Sequence, residues 1–143
     1  MPLPAESAEA TQQKVIMVHA MMLVCFIDGH VASQQLALIE SYAKGLPEFH
    51  GRDFQQYYQA AKAKATEARG SLDLAISAVE SIESGQLRHK TFHCCLELAH
   101  ATGGVTAKAE SLLAGLQHAL RIDSELASTM ADIVTAKFTQ APS

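Results

Sequence analysis

Tryptophan and asparagine are missing from this 143-residue chain, and it holds only 4 prolines and 8 glycines. Few turn-formers and few β-branched runs, together with abundant alanine, leave a composition that favours helix. Charge is scarce as well: charged residues make up 18% of the chain against 48% apolar, which excludes a disordered, highly solvated polymer. The net charge is −4 and the basic residues are scattered. Their densest group, Lys62, Lys64 and Arg69 beside Glu67, reads as a solvated helix face, so no nucleic-acid partner is expected.

There are 3 cysteines, Cys25, Cys94 and Cys95, each inside an apolar helical pattern. Neighbouring residues on a helix point about 100° apart, so Cys94 and Cys95 are poorly placed to bridge. An odd count without framework spacing predicts a reducing, cytoplasmic setting. The apolar run Val15 to Ile27 (VIMVHAMMLVCFI) is shorter than the roughly 20 residues a membrane-spanning helix needs, and His19 interrupts it. The segment MPLPAESAEATQQK before it has almost no positive charge, and no small-x-small cleavage site follows the run, so neither a transmembrane segment nor a signal peptide is expected. The run reads instead as a helix buried on nearly all sides.

No stretch alternates with period two, and apolar spacing with Gly and cap residues divides the chain into about seven helices. The first begins after Pro4, with Glu6 and Glu9 at the positive end of its dipole, and ends near Asp28-Gly29. Ser33 caps a second helix to about Lys44, and Asp53 caps a third to about Ala68. A fourth runs from Leu72 to about Ile82, and a fifth from Leu87 to about Ala101. Thr106 caps a sixth that ends near Leu120, and Asp123 or Ser124 caps the last, which reaches about Phe138. Phe49, Phe54, Tyr57 and Tyr58 are expected to pack the third helix onto the bundle with their phenols at the surface. Residues 1–143 thus read as a single all-α domain, with a core over about 15–138 and fraying expected over 1–5 and 139–143.

The break in "FIDGHVASQQ" has a counterpart in "ATGGVTAKAE". Superposing Val31 on Val105 aligns His19 with His93, Gly29 with Gly103, Leu38 with Leu112 and Ile39 with Leu113. Each half then has a long apolar helix, a glycine elbow and a second amphipathic helix, which predicts two pseudo-twofold-related helical hairpins. Glycine allows a left-handed helix end, and Ser33 or Thr106 caps the next helix, so the residues suffice for a corner without any ligand. A calcium or magnesium site needs six or more oxygens, usually with more than one carboxylate, and Asp28 is the sole acid of its elbow. Only if the two elbows met could Asp28 and Glu110 share an ion.

These elbows, with "GLPEFHGRDFQQYYQAA" (Gly45 to Ala61) and "CCLELAHATGGVTAKAESLLAGLQHALRID" (Cys94 to Asp123), resemble the TerB-like family of bacterial tellurite-resistance and chemical-stress proteins. The resemblance spans about Val15 to Asp123. It implies a TerB-like bundle with pseudo-twofold halves and acids at the two elbows that hold a divalent cation. Of those acids the first matches Asp28, while the glutamate seven residues on falls on Gln35. In the second elbow the aspartate falls on Thr102 and the glutamate on Ala109, with Glu110 one place along and turned by about 100°. The resemblance therefore implies the fold more fully than the metal chemistry.

A second candidate lies on the fifth helix, where His89, His93, Glu97 and His100 fall on one face, opposite Leu87, Cys94, Leu98 and Ala101. Histidines four apart with a carboxylate are competent zinc or nickel ligands, although the commoner reading of such a face is solvated polarity. His19 reads as a hydrogen-bonded core histidine, and Met17, Met21 and Met22 as core filler. No HExxH motif, phosphate loop or Ser–His–Asp order is present, so no enzyme is expected. The expectation is a non-enzymatic stress-response protein that works by binding an unknown protein partner and has a degenerate divalent-cation site. The alternative is a working metal-binding protein that uses the histidine face, or Asp28 with Glu110.

Overall fold

The computed structural model describes residues 5–27, 33–102 and 104–142. Among these there are seven α-helices and no strand. They are α1 (Ala8–Phe26), α2 (Ser33–Lys44), α3 (Phe54–Glu67), α4 (Leu72–Ser77), α5 (Gly85–Ala101), α6 (Ala107–Ala119) and α7 (Ser124–Phe138). The elbow residues Asp28, Gly29 and Val31, and Gly103 of the second elbow, lie outside the described residues.

α1 is the spine, and α2, α3, α5 and α6 all pack on it. Nearly every side chain from Lys14 to Cys25 is buried, which explains why its apolar residues show no single face. A helix that is apolar all round can avoid water only at the centre of a bundle. Met17, Met21 and Met22 do fill the core there, and the described helices include none long and apolar enough to cross a membrane.

The caps expected at Asp53, Thr106 and Asp123 form, while the side chain of Ser33 lies outside what the structure describes. Asp53 accepts from the Gln55 N–H (3.1 Å), Thr106 from Ala109 (3.1 Å), and Asp123 from Glu125 and Leu126. Three local readings change. α1 starts at Ala8 under a Ser7 cap, and Glu6 serves no helix dipole but folds back to α3. There its carboxylate accepts from Tyr57 Oη at 2.5 Å and pairs with Lys14 at 2.9 Å, so the Tyr57 phenol is not at the surface. The fourth helix tightens after Ser77 into a 3₁₀ turn, Ala78–Ser81, which lets Val79 and Ile82 enter the core. α6 closes with a Schellman pattern, Ile122 N–H to Gln117 O (3.0 Å) and Arg121 N–H to His118 O (3.1 Å). Arg121 takes the left-handed place usual for glycine, at φ 56°.

His19 is fully buried, and its Nε2 donates to the Ala75 carbonyl at 2.8 Å, tying α1 to α4. Burial lowers its ionisation below the ordinary histidine value, with the nearby charge of Lys64 acting the same way. The unfolded chain therefore takes up this proton first as pH falls. The stability His19 contributes is complete above about pH 6.5 and is lost as pH drops from there towards the folded value. Urea titrations should show stability falling below that pH, with a slope approaching about 1.4 kcal/mol per pH unit. His19→Gln should flatten the slope over the same window; an unchanged slope would assign it elsewhere.

Candidate functional site

The surface of α5, α6 and α7 holds a groove of 530 Å³, and the sequence explains why it stays open. α6 and α7 both rest on α5. Phe92 and Leu96 from α5, with Leu113 from α6, make its apolar floor. Towards it α7 turns Ser124, Ser128, Ala131 and Thr135, at the spacing of one helix face. These side chains are small, and the space between the two helices stays open above them. Hydroxyls line one wall and apolar carbon the floor.

Glu110 and His100 also line this groove, two of the residues singled out from sequence. Glu110 sits exposed in the first turn of α6. His100 stacks on Phe138 with ring centres 5.5 Å apart, and its Nε2 lies 3.5 Å from Thr135 Oγ1. His89 is exposed further back on α5.

Glu97 behaves differently from the solvated face read from the sequence, for it is only 7% exposed. Its carboxylate accepts from His93 Nε2 at 2.6 Å and from Lys137 Nζ at 2.5 Å, which clasps α7 to α5. That hydrogen bond, with the carboxylate's charge, raises the Lys137 ammonium above its usual range. Burial, then the Glu97 charge, raises the Tyr42 phenol on α2. His89, His93, Glu97 and His100 are thus divided among solvent, the clasp and a ring stack. Among the described residues no three His, Cys, Asp or Glu side chains converge as metal ligands.

The second elbow holds little charge among its described residues. Thr102 Oγ1 donates to the Leu98 carbonyl at 3.0 Å, and Ala109 is buried against the core where the pattern wants a carboxylate. Glu110 is the remaining acid there, and Asp28 lies outside the described residues. The three thiols are free and buried. Burial pushes Cys25 and Cys94 up to about 12 and Cys95 well above the ordinary thiol value, so all three stay protonated at neutral pH.

Neither the groove nor the Glu97 clasp was read from sequence. The one signal for the groove was the Ser/Ala/Thr spacing along the last helix. Comparison of the chain with protein-family models, with curated proteins and with solved structures gave no match, so the TerB-like resemblance rests on the quoted residues alone.

Proposed function

We propose that this chain is a TerB-like, non-enzymatic binding protein of a bacterial stress response, and that the α5–α6–α7 groove is its working surface. The observation that carries the reading is the groove itself, an apolar floor beneath a wall of small hydroxyl side chains. Its volume falls within the range of about 300–1,000 Å³ usual for small-molecule sites, and a few polar groups beside apolar carbon are the usual lining of such sites. The buried, free, protonated thiols accord with a reducing, cytoplasmic setting. Under the same reading α1–α2 and α5–α6 are the two related hairpins. The second has replaced its elbow acids and presents a groove instead.

The neutral dye N-phenylnaphthylamine tests the groove directly, and with no tryptophan in the chain its emission is easily isolated. One dye should bind per chain with enhanced, blue-shifted emission. Ser128→Phe, which fills the groove from an exposed position on α7, should weaken binding by ~tenfold or more, about 1.4 kcal/mol, with the helical circular dichroism unchanged. Dye binding that ignores this substitution would move the working surface elsewhere.

A further inference from the structure

The two ends of the groove differ chemically, and the difference names an occupant. The chain runs out along α5, back along α6 and out again along α7, with short connections at residues 102–106 and 120–123. His100, Val105 and Thr135 therefore gather at one end, and Gln117 and Ser124 at the other, with Leu96 and Leu113 between them. Along α7 the lining from Ser124 to Thr135 covers about 16 Å. An elongated guest with an apolar body and one distinct head fits this layout better than a compact one.

The sign of the head follows from the charges. Glu110 is the one ionised side chain of the lining, exposed and without an ion pair among the described residues. No lysine or arginine lines the groove, and Lys137, the cation of α7, is held by Glu97 on another side of the helix. The chain as a whole carries −4, which also favours approach of a cation.

We propose that the α5–α6–α7 groove binds a linear cationic amphiphile, its alkyl body on Phe92, Leu96 and Leu113 and its ammonium head on the Glu110 carboxylate. This rests on the groove being the working surface, and it adds the chemical class of the ligand. An exposed ion pair contributes modestly, so the head sets selectivity while the apolar floor supplies most of the affinity.

The test is displacement of N-phenylnaphthylamine at neutral pH by decylamine, decanol and decanoate, the two ions below their micelle concentrations and decanol below its solubility limit. Decylamine should displace the dye at about fivefold lower concentration than decanol, and decanoate should be weakest. Glu110→Gln should bring decylamine level with decanol while leaving decanol unchanged. Glu110→Lys should reverse the order and put decanoate first. A preference for decylamine that survives in both variants, or equal displacement by all three probes, overturns the cationic head while leaving the groove as a binding surface. Failure of the dye itself to bind the groove removes the functional reading beneath it. Sedimentation showing a dimer that decylamine dissociates would assign the groove to a second copy of the chain and overturn the proposal.

Discussion

Met21→Lys is expected to leave no folded protein at room temperature. Met21 has no exposed surface and lies mid-way along the one helix that most of the others pack on. An ammonium placed there meets no carboxylate of its own helix, whose one acid, Glu9, lies more than three turns away. Burying one unpaired ion costs several kcal/mol after relaxation, and whole domains have only about 5–15 kcal/mol to lose. Met21→Leu is the control, since a swap of similar volume usually costs less than about 1.5 kcal/mol. Circular dichroism and urea titration of the pair would decide the matter. A cooperative transition in the lysine variant close to that of the parent would mean that α1 is not the centre of the core.

Tyr57→Ala is expected to cost about 3–5 kcal/mol, the range for removing a large buried aromatic side chain. The ring is 1% exposed and meets Phe49 edge-on, with centres 5.4 Å apart. Lys14 Nζ lies 5.8 Å from its centre. Tyr57→Phe separates the phenol from the ring and should cost about 1–3 kcal/mol, because Glu6 loses its hydrogen bond where little water can replace it. Burial pushes the Glu6 carboxyl up, but the bonds from Tyr57 and Lys14 outweigh it and leave the carboxyl below its usual range. Burial and the Glu6 bond push the Tyr57 phenol up to about 12. Chemical denaturation of the three proteins measures both steps. Equal stability of the phenylalanine variant and the parent would show that the Glu6 bond adds nothing.

The helices were legible in the sequence because their determinants are local. Apolar spacing and the caps Asp53, Thr106 and Asp123 lie within a turn or two of what they control. Where a distant residue decides the outcome, sequence reading failed. Glu97 looks like a member of a polar stripe on α5, yet it is buried and its carboxylate is held by Lys137, on another helix. Tyr57 looks like a surface phenol until Glu6 folds back to accept from it. Arg121 carries no glycine signal, yet its left-handed turn is fixed by Ile122 entering the core beyond it. The groove was the hardest feature to foresee, because it arises from side chains on α7 that are too short to fill the space. His19 and His93, which superposing the two glycine breaks in the sequence aligns, have opposite fates, one wholly buried and the other half in solvent. Identical letters brought together by that superposition therefore do not mean equivalent positions.

The central place of α1 also has a cost in time. Of the seven helices it is made first, yet its partner α5 is complete only after about half the length of the chain has followed, and α6 later still. At about 5–20 residues per second, roughly 4–15 s separate the synthesis of its last turn from that of the end of α5. Until α3 is made the nascent chain carries VIMVHAMMLVCFI with little cover, and until α5 follows one large face of it stays open. Slowing translation between α1 and α3 is therefore expected to lengthen the exposure of this segment more than slowing it after α5.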